Sequence, residues 1–252
     1  MQAFLGVDPY EYRMSVRRWS LWLAFALAAA PSAVTLASFR AVGSAEPLRR
    51  LAGTLAAQLN LFFPLAGGIA IADRLARDRQ MKVRELLQAT PTGRPTYVAG
   101  KYVGTTLAVL TPALAWTLIR LGALVLLGLP AGVLWPGMLA FLGITVPALL
   151  FVGAFSLACP EVLPVRVYQV LFAGYWYCGN YLSPQKMPTI SQTLLAASGR
   201  FVNGAFFQGV YDPAGPRYTP GQAALNLLVL FACAAAALIA LERYLAWQAR
   251  RA

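Results

Sequence analysis

The chain has 252 residues, 59% of them hydrophobic and 12% charged, with 21 Lys and Arg against 9 Asp and Glu for a formal charge of +12. Soluble domains carry about a quarter charged residues, so this balance, with its positive mean hydropathy, excludes an ordinary soluble fold and describes an integral membrane protein.

In chain order, the stretch DPYEYRMSVRRWSLW comes first. Asp8 is placed to cap a helix, Pro9 to occupy its first position and Glu11 to reach back as a capping-box carboxylate. Tyr10, Tyr12, Trp19 and Trp22 beside Arg13, Arg17 and Arg18 predict a short amphipathic helix at the lipid headgroup level; an early start of the first span is the other reading. No small-residue cleavage site follows, so the first apolar run is expected to be retained rather than removed as a signal peptide.

Uncharged runs near the roughly 20 residues needed to cross a bilayer core lie at 21–39, 51–72, 102–119, 134–159, 167–182 and 223–241, the third able to extend to 129. They are continuously apolar rather than alternating, which favours helices over barrel strands. The expected fold is an all-α membrane protein, one domain over residues 1–252 with six transmembrane helices. The fifth run is short enough to be a tilted or re-entrant segment instead.

Between the second and third runs stands DRLARDRQMKVRELLQATPTGRPTYVAGK, with seven Lys or Arg between Asp73 and Lys101. Wound as a helix, it gathers Leu75, Ala76, Val83, Leu86 and Leu87 in one sector and puts Arg74, Arg77, Asp78, Arg84 and Glu85 on the remaining surface. Asp73 with Arg77 and Asp78 with Lys82 are i,i+4 pairs in the favourable order. Pro91 must end that helix near Thr90, and a second helix is expected from about Thr96 into the third span. A solvated turn that merely enforces topology is the plainer reading.

With six spans, this connector, both termini and Arg166 fall on one side. Arg13, Arg17, Arg18, Arg243, Arg250 and Arg251 join the seven connector cations there, against Arg40, Arg49, Arg50, Lys186, Arg200 and Arg217 opposite. The positive-inside bias therefore places both termini in the cytoplasm. Lipid headgroups account for these short basic connectors, so nucleic acid is not an expected partner.

Residues 183–222 are too many for a simple connector and read as one or two short helices dipping into the outer leaflet, broken at Gly199 and Arg200, then a loop rich in Pro and Gly. Arg120 reads as the outer end of a tilted third span, snorkelling to the headgroups, ahead of a site for an anionic substrate. Cys159, Cys178 and Cys233 read as packing residues, and the absence of His removes the commonest metal ligand and general base. No catalytic residue and no metal site is expected. The apolar runs contain no Asp or Glu, which argues against ion-coupled transport.

The segment VRELLQATPTGRPTYVAGKYVG resembles a pattern that follows the second span of ABC-2 type transporter permeases, the matching positions being Glu85, Leu86, Leu87, Thr90, Pro91, Arg94, Tyr97, Gly100 and Lys101. The layout of spans and the amphipathic start resemble that family too. The resemblance implies the permease subunit of an ABC exporter, a multi-pass protein of a bacterial plasma membrane whose connector carries a coupling helix docking on a separate ATP-binding cassette ATPase. Arg79, Lys82, Arg84, Glu85, Leu86 and Leu87 would then meet that ATPase, with Pro91 setting the angle. It also implies a second permease copy, identical or not, and a path between spans 2 and 5, for which Gln58, Asn60, Tyr175, Trp176 and Asn180 are the candidates. Rings with a few amides suit a hydrophobic or amphipathic substrate. The aromatic run of the fifth span, taken alone, reads as packing or an interface belt.

The chain has no P-loop of its own, since in AGKY Tyr102 stands where the hydroxyl residue belongs and Pro95 where the first glycine belongs. ATP and Mg2+ would sit on the partner, and this chain would bind no cofactor. A lipid-modifying membrane enzyme using Asp73 and Asp78, and a non-catalytic assembly protein, are the competing readings.

Overall fold

The computed structural model describes residues 4–34, 47–81, 93–182, 188–208 and 217–251, and every regular element among them is helical. In order these are α1 (Phe4–Val16), α2 (Trp19–Val34), α3 (Leu48–Ile71), α4 (Arg74–Gln80), α5 (Arg94–Leu126), α6 (Ala131–Glu161), α7 (Val165–Asn180) and α8 (Pro220–Gln248). Four helices are long and apolar enough to cross a membrane: α3 continued by α4, then α5, α6 and α8, with Trp19–Pro31 a shorter apolar one. α7 has 16 residues. At 1.5 Å per residue it reaches about 24 Å, short of a core of about 30 Å.

The helices begin before their apolar runs do. α3 takes in Arg49 and Arg50, and α5 starts at Arg94 with Pro95 in its first turn, where the missing amide hydrogen costs nothing. α1 starts at Phe4, so Asp8 lies inside the helix and is not its cap. The helix breaks at Arg17 and Arg18, and the Trp22 indole donates to the Val16 carbonyl at 2.8 Å across the elbow. α2 then packs on α3 through Phe25 and Phe63, whose rings lie 5.1 Å apart.

Proline shapes the two central helices. Pro64 in α3 has no amide hydrogen for the carbonyl of Asn60. A carbonyl freed in hydrocarbon must find another donor, and the Tyr181 hydroxyl supplies it at 3.0 Å. Beside it the Trp176 indole donates to the Leu61 carbonyl at 2.9 Å. In α6, Pro147 has the same effect one turn back. The chain widens into a π turn over Phe141–Thr145, where the Val146 amide donates to the Phe141 carbonyl.

Close approach to α3 requires Gly68: a Cβ there would collide with the Phe172 ring of α7 and stand 2.8 Å from Val152 of α6. Trp176 is fully buried and Phe172 nearly so. Tyr168, Phe172 and Trp176 of the aromatic run of α7 therefore pack inward, with Tyr168 stacked on Phe172 at 5.7 Å.

At the end of the bundle away from α1, residues 190–199 form turns rather than a helix, and one short helical stretch follows, Arg200–Val202 with a wider turn over Asn203–Phe207. Gly199 provides the left-handed break at φ 75°. Three asparagines hold this segment. Asn60 donates to the Ala197 carbonyl at 3.3 Å, Asn180 accepts from the Ala197 amide at 2.8 Å, and Asn226 donates to Leu194 and Ala196 at 2.8 and 3.1 Å. α8 then opens on a capping box of Thr219 and Gln222.

Candidate functional site

The stems of the basic connector, α4 and the first turns of α5, meet α1 at one corner of the bundle. Tyr97 and Lys101 stand four residues apart on α5, so both side chains face the same way. Lys101 is 1% exposed. Its ammonium lies 2.7 Å from Glu11 Oε1 of α1 and 2.5 Å from Asp78 Oδ2 of α4, and the Tyr97 hydroxyl donates to the same Asp78 oxygen. Glu11 and Asp78 are buried as well. A buried ammonium must be paired and hydrogen-bonded, and here the two carboxylates come from two other helices.

This corner departs from the helical-wheel expectation. The wheel puts Arg74 and Asp78 on the solvated face of α4, yet both are buried with Leu75 and Ala76. The reason is that α4 has neighbours on two sides: the α1 and α5 corner takes Asp78, while the end of α6 lies alongside. Arg77 keeps the exposed i,i+4 pair with Asp73 at 2.7 Å, as the spacing predicts. Asp78 is held by Lys101 and Tyr97, and Lys82, its expected partner, lies outside the described residues.

Of the residues expected to meet an ATPase, Arg79 is exposed near the end of α4, whereas Lys82, Arg84, Glu85, Leu86, Leu87 and Pro91 lie outside the described residues. Of the path candidates, Asn60, Trp176 and Asn180 are fully buried and hydrogen-bonded to backbone, whereas Tyr175 is 38% exposed. Gln58 accepts a 2.6 Å hydrogen bond from Arg120. Arg120 is therefore turned into the bundle at 5% exposure rather than snorkelling outward, because an amide oxygen lies within its reach on α3.

Glu11 carries a role its local sequence does not suggest, since beside Asp8 and Pro9 it reads as a capping residue. A signal is present nonetheless. Only 9 acids occur in the chain, and an acid inside an apolar amphipathic stretch needs a cation. Among the described residues no three His, Cys, Asp or Glu side chains gather where they could hold a metal ion.

A cavity of about 470 Å³ lies between α6, α7, α8 and the segment near Ile190, and Tyr175 is on its wall. It is lined almost wholly by apolar side chains.

No individual curated protein matches the chain significantly. The sequence profile described as ABC-2 family transporter protein matches residues 25–241, which takes in α3 to α7 with the Tyr97 and Lys101 pattern, and leaves α1 outside. With a match over most of its length, and an all-helical bundle built from long apolar helices, the chain belongs to the ABC-2 transporter family, as a multi-pass membrane permease component of an ABC transporter.

Proposed function

We propose that the chain is the permease of an ATP-driven exporter and that its ATPase docks on residues 82–92, the segment between α4 and α5. The observation that carries this reading is the buried bridge of Lys101 to Asp78 and Glu11. It ties both stems to each other and to α1, so a force applied to the segment reaches three helices at once. A connector serving topology alone has no use for such a joint. Arg79, Lys82, Arg84, Glu85, Leu86 and Leu87 form the docking face in this proposal, and Pro91 sets its angle. ATP and Mg2+ belong to the partner, whose ATPase class follows from the family.

Both termini and the connector are cytoplasmic in this proposal, α2 and α7 complete six spans, and two copies form the path in a bacterial plasma membrane. The path runs between α3 and α7, with Tyr175 on its surface and Gln58, Asn60, Trp176 and Asn180 bracing the wall behind. Co-expression with the ATPase encoded beside it tests the reading. A complex should purify whose ATP hydrolysis falls severalfold when Arg84 and Glu85 are both replaced by Ala. Unchanged assembly and unchanged hydrolysis in that variant would count against docking at this segment.

A further inference from the structure

Because the family match leaves the cargo open, the cavity beside α7 is the place to look for it. Its walls are Phe151 and Phe155 of α6, Leu171, Phe172 and Tyr175 of α7 and Cys233 of α8. Among the described residues, no Asp, Glu, Lys or Arg lines it. The hydroxyl of Tyr168, which also faces it, is taken up by Ser156 at 2.8 Å. Such a wall has nothing to offer an inorganic ion or a sugar, both of which need several polar groups to replace their water.

Its dimensions choose among the apolar occupants. On α7 the lining runs from just before the helix, at Leu163, to Tyr175, about 18 Å at the helical rise of 1.5 Å per residue. Even the whole space between the walls and out to the lips, about 1050 Å³, gives a mean cross-section of about 58 Å² over that length, whereas a helix about 10 Å across needs about 80 Å². A transmembrane helix of a second copy is too thick, and one extended hydrocarbon chain is of the right order. The lips at Leu163, Leu171 and Leu195 are 39, 58 and 42% exposed, so the cavity opens sideways to the membrane.

We propose that this cavity is a binding site for a single long hydrocarbon chain, which makes the cargo class a long-chain amphiphile entering from the bilayer. The cargo assignment rests on the permease reading above; the binding site does not. Passing from lipid into the groove changes little hydrophobic area, so selectivity comes from contact with the rigid aromatic wall. The expected preference over other lipid-facing surfaces is therefore modest, about tenfold.

The full chain in phospholipid nanodiscs, with its ATPase, is photolysed with a trace of hexadecanoic acid bearing a mid-chain diazirine, and adducts are mapped by peptide mass spectrometry. Adducts should concentrate on Phe155, Leu171 and Cys233, fall when unlabelled hexadecanoic acid is added, and drop at least fivefold in two fillers on different walls, Cys233→Phe and Leu171→Trp. Adducts no denser there than at Leu118 and Ile119, and not displaced by competitor, would mean ordinary boundary lipid and overturn the site. Cross-links from the cavity to a second copy, with no adduct, would overturn it also. ATP hydrolysis is read on the same samples: uniform labelling with hydrolysis intact sinks the hydrocarbon site alone, and displaceable labelling without a complex sinks the coupling reading.

Discussion

Replacing Lys101 by Met leaves a side chain of similar length and volume but removes the charge between Glu11 and Asp78. The two carboxylate oxygens lie 2.7 and 2.5 Å from the same ammonium, so they are no more than about 5 Å apart. Two unit negative charges at that distance repel by about 3 kcal/mol at an effective dielectric constant of 20. Breaking a buried pair from one side costs about 3–5 kcal/mol on the same grounds. For a chain of this size that is a fall in midpoint temperature of about 10 °C. A second change, Glu11→Gln, removes one of the two charges and should restore most of the loss, although alone it is itself destabilising. Thermal unfolding of the four proteins in one detergent, followed by tryptophan fluorescence, closes the cycle. If the two changes add within about 0.5 kcal/mol, the bridge carries no energy and the joint across α1, α4 and α5 is not what binds these helices.

Two further outcomes follow from the packing of α3. Tyr181→Phe should cost about 1 kcal/mol in the native background and almost nothing beside Pro64→Ala, because alanine at that position brings back the amide that the Asn60 carbonyl lacks; equal costs in the two backgrounds, measured by thermal unfolding, would separate the tyrosine from the proline. Gly68→Ala forces a methyl into the Phe172 ring and should destabilise by about 1–3 kcal/mol, with Phe172→Leu in the same chain recovering part of it.

The six apolar runs are legible because a bilayer imposes length and composition together, and each of them carries a helix. Helix ends are less so: α1 begins before its expected cap, and α3 and α5 run on through arginines that a search for uncharged windows discards. A rule that assumes one buried face per helix places Arg120, Asp78 and Arg74 outward. For two of them the second neighbour is a side chain distant in sequence: Gln58 for Arg120, and Lys101 and Tyr97 for Asp78. The apolar composition of 190–199 reads as a helix, whereas the asparagine bonds to Leu194, Ala196 and Ala197 take up backbone groups a helix would have used on itself.

The family-like pattern around Tyr97 and Lys101 acquires a physical reason from this corner. A lysine at the mouth of a long apolar helix is costly to bury, and it is buried here because Asp78 and Glu11 close on it from two other elements. Tyr97, one turn earlier, gives Asp78 a second donor, so the carboxylate stays satisfied if the ammonium shifts toward Glu11. Glu11 lies outside the family match, and Lys101 lies inside it. The joint therefore pairs a residue of the shared membrane domain with one on the preceding helix, which braces α1 against the stems of the connector. That bracing has a consequence for the variants above. Glu11→Gln should loosen α1 and leave Asp78 paired with Lys101, whereas Lys101→Met should loosen α1 and α4 together, with the Tyr97 hydrogen bond the remaining tie of α4 to α5, and hydrogen exchange along α1 and α4 tells the two apart.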